Sequence, residues 1–191
     1  MKTFKRTVNE PRLKIYYDED PMNPREDTNT TLFLLKSDDK AKEIIQKYLN
    51  TCRNMSELKT AVCKEITEKY GKIYYSCFIT KYEHSGIALH QSLESGFDSS
   101  FYGFAFITQA QVDETGLTVE KMDNEHLSNV VDNELNEYNS YLNNEIYRFE
   151  LYDENGEFED SYGGFYYIED IRECLPEEFN DENLEDYFIN R

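Results

Sequence analysis

The side chains of this sequence that could do chemistry are its thiols, its imidazoles, its paired glycines and a large excess of carboxylates. Cys77 and His84 could form a thiolate–imidazole nucleophile, because only closeness in space matters for such a pair. The local signatures of cysteine hydrolases are absent and no third residue is evident to orient the imidazole. His84 therefore reads as a turn residue beside Ser85-Gly86. Cys52, Cys63 and Cys174 fall at irregular spacings with no C-x-x-C pair. They read as reduced, partly buried small hydrophobes, and no zinc site is expected.

The carboxylates offer two loops that could hold a cation. With Gly156 at the sixth position of a calcium loop, Asp153 and Asn155 fall at the third and fifth. Leu151 and Tyr162 then occupy the first and twelfth, where carboxylates are required. A hairpin turn explains Asn155-Gly156 better. Asp18-Glu19-Asp20 likewise lacks the spacing of a metal cage. Gly103 stands alone, and Gly163-Gly164 lacks the Lys-Ser/Thr of a P-loop and any G-x-G-x-x-G spacing. In a strand such glycines mark a bulge or a close backbone approach. No cofactor, metal or catalytic residue is expected, and the enzyme reading ranks last.

What remains is the acidity itself. The 191 residues carry 39 Asp and Glu against 20 Lys and Arg, a formal charge of −19. Residues 1–110 hold 16 basic and 15 acidic side chains and are near neutral, while residues 111–191 hold 4 and 24. Twelve carboxylates lie within the thirty residues 157–186: Glu157, Glu159, Asp160, Glu169, Asp170, Glu173, Glu177, Glu178, Asp181, Glu182, Glu185 and Asp186. Aromatics such as Phe158, Tyr162, Phe165, Phe179, Tyr187 and Phe188 are interleaved with them, which argues for ordered structure over an acidic tail. Such a charge argues against direct binding of nucleic acid or anionic membrane, since the phosphate term is repulsive. It leaves two readings open: a solvated surface that serves solubility, or a face for a strongly basic partner.

The elements that must position these groups are mixed α and β. Leu13, Ile15 and Tyr17 alternate with polar residues as a strand, and residues 31–35 form a second. Ser37 or Asp38 can cap a helix carrying Ala41, Ile44, Ile45, Tyr48 and Leu49. Ser56 can cap another, with Leu58, Ala61, Val62 and Ile66 inward and Gly71 past its end. Strands are expected at 73–79, 87–91, 101–107, 146–152 and 158–168, all in one mainly antiparallel sheet. A short helix begins at Thr108 and ends at Gly116, and a long one over 118–143 presents Leu127, Val131, Leu135, Tyr138 and Leu142 to the sheet. Glu134 falls at the edge of that stripe and needs a polar partner. A short helix at Leu184 with Tyr187-Phe188-Ile189 should dock by its apolar side. The economical reading is one α+β domain over 1–191. No run approaches the roughly 20 apolar residues of a membrane span, and Met1–Arg6 lacks the apolar stretch of a signal peptide, so a cytosolic chain is expected.

Four segments resemble a family of largely uncharacterised proteins encoded by phages and prophages. These are Tyr82-Glu83-His84-Ser85-Gly86-Ile87-Ala88-Leu89, then Asp98-Ser99-Ser100-Phe101-Tyr102-Gly103-Phe104-Ala105-Phe106-Ile107, then 138–147 (YNSYLNNEIY), then Asp160-Ser161-Tyr162-Gly163-Gly164-Phe165-Tyr166. They cover roughly 80–170 in the family's order. The chain departs in lacking the Trp that relatives carry beside Asp98 and before the last Gly-Phe. The resemblance implies a phage accessory protein in the host cytosol and supplies no catalytic residues. By analogy with small acidic phage proteins that block restriction enzymes or CRISPR nucleases, the twelve carboxylates are expected to mimic nucleic acid toward a basic host nuclease. The alternative is an accessory module that binds some other protein, its acidity serving solubility only.

Overall fold

The computed structural model describes residues 12–26, 29–92, 97–119 and 122–189. Met1–Arg6 and the segment 120–121 lie outside the described residues. Among the described residues, seven strands and four α-helices, with short 3-10 turns, make an α+β fold. The strands expected in one sheet divide between two. The chain, taken from its sequence as one domain, separates into two compact units: 1–24 with 140–191, and 25–139.

In the central unit the sheet is β2 (Leu32–Leu35), β5 (Ser99–Thr108), β3 (Ile73–Glu83) and β4 (Ile87–Gln91), side by side in that order and all antiparallel. The short turn at 84–86 joins β3 to β4 directly, as Ser85-Gly86 implied. Gly103 is required by a close approach: a Cβ there would collide with the Leu34 carbonyl of β2.

Helix α1 (Asp39–Leu49) starts where the Asp38 carboxylate accepts the Ala41 N–H at 2.8 Å. Helix α2 (Met55–Tyr70) is capped by Asn54, whose side chain accepts the Glu57 N–H at 2.9 Å. The cap expected at Ser56 thus moves two residues earlier, and the Ser56 carbonyl accepts the Thr60 hydroxyl within the helix. Gly71 ends α2 at φ 81°, a backbone angle that glycine adopts without strain. Leu58, Val62 and Ile66 repeat every four residues and are fully buried with Ala41, Ile45, Phe104 and Phe106. Each of the Leu, Val, Ile and Phe side chains contributes about 1.5–3 kcal/mol.

Helix α3 (Gln109–Thr115) ends at left-handed Gly116 as expected. Helix α4 (Asn124–Leu142) begins six residues later than the expected 118, because the Asp123 carboxylate caps it by accepting the His126 N–H at 2.9 Å. Its stripe of Leu127, Val131 and Leu135 is buried. Asn139 accepts from the Leu89 N–H and donates to the Leu89 carbonyl, which satisfies the backbone at the sheet's edge. Glu134 finds its partners in Arg25, at 3.0 Å, and in the N–H groups of Thr30 and Thr31.

In the other unit β1 (Leu13–Tyr17), β6 (Tyr147–Tyr152) and β7 (Phe158–Phe165) form a three-stranded antiparallel sheet. The β6–β7 turn is the expected Asn155-Gly156 hairpin, with Gly156 at φ 76°. The strand expected over 158–168 stops at Phe165. A register shift at Gly163-Gly164, with Gly164 at φ 89°, precedes the end of the strand, and Ile168 opens a 3-10 turn. After 3-10 helical residues 184–187, Phe188 pairs with Ile15 beside β1.

Candidate functional site

Residues 168–187 of the acidic stretch are folded onto one face of the three-stranded sheet, whereas Glu157, Glu159 and Asp160 belong to the β6–β7 hairpin itself. Three successive 3-10 segments, Ile168–Cys174, Glu177–Phe179 and Leu184–Tyr187, cross that face. Each is pinned by apolar side chains: Ile168 and Ile171, then Phe179, then Leu184, all packed with Leu13, Ile15, Phe149 and Leu151. A 3-10 turn repeats every three residues. Once Ile168 and Ile171 point inward, Glu169, Asp170 and Glu173 must point outward. Glu177 and Glu178 precede the anchor Phe179, and Glu185 and Asp186 follow the anchor Leu184, by the same logic. Glu157 and Glu159 project from the β6–β7 hairpin.

Eleven of the twelve expected carboxylates are exposed; Asp160 is half-buried, and its side chain accepts the Ser161 N–H at 2.8 Å. All twelve belong to a single unit. The sequence reading missed the cations that hold them in place. Arg172 donates to the carbonyls of Phe179 and Asn180 at 2.7 Å each and to that of Glu182 at 3.1 Å, and it pairs with Glu169 at 2.9 Å. Arg12 on the other end of the chain pairs with Glu178 at 2.7 Å. The Glu169–Arg172 spacing of three was readable from sequence; the Arg12 contact was not, since 166 residues separate the partners. The field of these carboxylates reaches the aromatics: burial first, then Glu182, Asp186 and Glu178 push the Tyr187 hydroxyl up.

The other candidate chemistries do not assemble. Burial pushes the Cys77 thiol up to about 12, so essentially no thiolate forms at neutral pH. His84 lies exposed beyond the end of β3, its ring stacked on Tyr82. Along an extended strand, at about 3.3 Å per residue, the two backbones are roughly 20 Å apart. The Asp153 carboxylate accepts the Asn155 and Glu157 N–H groups at 2.9 and 2.7 Å and serves the turn. Among the described residues no three His, Cys, Asp or Glu side chains converge as metal ligands. No helix among them is long and apolar enough to cross a membrane.

A second feature, absent from the sequence reading, is a cleft of about 240 Å³ at the end of β1 and the start of β6. Tyr16, Tyr17, Asp18, Glu19, Arg148 and Glu150 line it. Arg148 pairs with Glu150 at 2.9 Å, and Tyr152 donates to the other oxygen of Glu150 at 2.9 Å. Gly163 of β7 forms the seat for Asp18, since a Cβ there would overlap the Asp18 carboxylate.

No family model matches the chain, and neither the curated proteins nor the solved structures contain a match.

Proposed function

We propose that this chain is a phage-encoded, non-enzymatic inhibitor of a host defence nuclease, a CRISPR effector or restriction enzyme, acting in the host cytosol. Its acidic face would occupy a channel built for nucleic acid. The observation that supports this reading is that the nine exposed carboxylates of residues 169–186 lie on a stretch anchored in one core through Ile168, Ile171, Phe179 and Leu184. A flexible acidic tail would pay ordering entropy on binding; this surface is already ordered. Duplex DNA presents one charge per roughly 1.7 Å of its axis, and a fixed array of carboxylates competes for the same Lys and Arg groups. Complementary charge gives fast association and strong salt sensitivity.

The test is competition between this chain and DNA or guide RNA for a purified nuclease, at several salt concentrations. Affinity should fall steeply with salt, because exposed charges are screened over about 8 Å at physiological ionic strength. Changing Glu177, Glu178, Asp181 and Glu182 together to Lys should abolish inhibition in a folded protein. Unchanged inhibition by that variant would overturn the mimicry and favour the accessory-module reading, in which the acidity serves solubility.

A further inference from the structure

We infer that the outer edge of β7 takes up an extended, lysine- or arginine-rich segment of a partner protein as a fourth strand of its sheet. This rests on the reading of the chain as a binder of a basic protein and names one mode of that contact. The two edges of the three-stranded sheet differ. On β1 the outer edge is closed: Ile189 donates to the Ile15 carbonyl at 2.8 Å, beside the Ile15–Phe188 bridge. On β7 no strand among the described residues pairs with the side away from β6. The ladder fixes where its backbone groups point. Tyr152 donates to the Arg12 carbonyl at 2.8 Å and Asp18 to that of Ile146 at 2.6 Å, so the even positions along β6 bond toward β1. The odd positions must then bond toward β7. Phe149 and Leu151 stand opposite Tyr162 and Asp160, which leaves the N–H and C=O of Ser161 directed outward.

Charge sets the occupant. The outward Ser161 N–H is held at 2.8 Å by the carboxylate of its neighbour Asp160, and Glu159 stands exposed beside it. An open strand edge is a template for any extended chain, and charged side chains along it turn wrong chains away. Carboxylates here repel an acidic strand. They also repel a second copy, whose residues 140–191 carry 16 acidic against 3 basic side chains. A basic strand meets no such barrier. Its carbonyl replaces Asp160 on the Ser161 N–H, and its lysine or arginine pairs with the carboxylate so released. Main-chain hydrogen bonds then carry the affinity, and alternate side chains the choice of partner. Two rings offer those side chains apolar contact: Tyr162, 55% exposed on the face it shares with Phe149, and Phe158, 53% exposed against Tyr152.

The probe is an acetylated and amidated peptide of alternating lysine and threonine, eight residues long to match β7. It is titrated into the full chain at low ionic strength and followed by the amide signals of Ser161 and Gly163. The lysine peptide should give saturable shifts at millimolar concentration, and the matching glutamate–threonine peptide none. Ser161→Pro removes an outward donor, which an edge strand tolerates, and leaves every charge in place. It should weaken binding of the lysine peptide at least tenfold. Glu159→Gln with Asp160→Asn should weaken it at least fivefold. If Ser161→Pro fails to fold, Overhauser contacts from the α-protons of the peptide to those of Asp160 and Tyr162, which face the open edge, decide the matter. Their presence supports the added strand and their absence overturns it. Binding that survives Ser161→Pro is charge attraction alone and overturns it too, as does equal binding of the glutamate peptide. Dimerisation of the chain by itself, lost in Ser161→Pro, would give the edge to a second copy and overturn the basic occupant. The nuclease test alters Glu177, Glu178, Asp181 and Glu182 on other segments, so failure of the peptide leaves that competition intact. Failure of the competition leaves the peptide titration intact.

Discussion

The guanidinium of Arg172 donates to the backbone carbonyl of Phe179 at 2.7 Å. That bond joins two of the 3-10 segments that carry the acidic face. The same side chain reaches the carbonyls of Asn180 and Glu182 and the carboxylate of Glu169. One cation thus satisfies three backbone carbonyls of a single loop, in a region where like charges repel.

Arg172→Gln should therefore loosen residues 177–187 before anything else. Hydrogen bonds to a charged group contribute about 1.5–3 kcal/mol, so a stability loss of at least that order is expected. Amide exchange should accelerate in 177–187 while β3 and β5 stay protected. Arg172→Lys should rescue little, since one ammonium cannot span three carbonyls.

Arg25 and Glu134 form a partly buried clasp, with the guanidinium also 4.1 Å from the Phe33 ring and donating to the Thr31 carbonyl. Burial works against the charge on Arg25, and Glu134 supports it. Removing one partner should cost about 3–5 kcal/mol, because a desolvated charge is stranded. Arg25→Met with Glu134→Leu should cost much less than the sum of the single changes. Chemical denaturation of the four proteins in that cycle provides the check.

Glu137 gives a pH dependence with a definite sign. Burial, then the nearby Glu134 carboxylate, hold its carboxyl above the usual range, against the pull of Arg25. A raised folded-state value means that the folded chain binds this proton more tightly than the unfolded chain. The stabilising contribution is then complete below the ordinary glutamate value of about 4.3 and is lost as pH rises through the folded value. Glu137→Gln should be more stable than the parent at pH 7, and that advantage should vanish below about pH 4. Paired urea titrations at the two pH values would show it.

The thiols should react in an order set by burial. Cys174 is exposed, whereas Cys77 lies in β3 with its thiol pushed up to about 12. Iodoacetamide at pH 7.5 should label Cys174 within minutes and leave Cys77 unmodified until the chain is denatured. Peptide mapping over time reads this directly, and early labelling of Cys77 would contradict its described environment.

The elements of this protein were legible in the sequence wherever one residue type did one local job. Period-two alternation around Leu13 and Phe149, the apolar repeat of Leu58, Val62 and Ile66, and the turns at Gly71, Gly116 and Gly156 are properties of a few neighbouring residues. Backbone sterics and side-chain direction translate them into strands, helices and turns without long-range information. The need of Glu134 for a partner could be read in the same way from its place on the α4 stripe. Its partner Arg25, 109 residues away in sequence, could not. The division of seven strands into two sheets was also a tertiary outcome, because alternation reports that a strand has a buried face and not which sheet it joins. The acidity of residues 157–186 was plain from composition, but the outward display of its carboxylates from Glu169 on depended on Ile168, Ile171, Phe179 and Leu184 finding one core. The cleft at Asp18 is tertiary throughout: it exists because antiparallel pairing sets Arg148 opposite both Tyr16 and Gly163, from three separate stretches of chain.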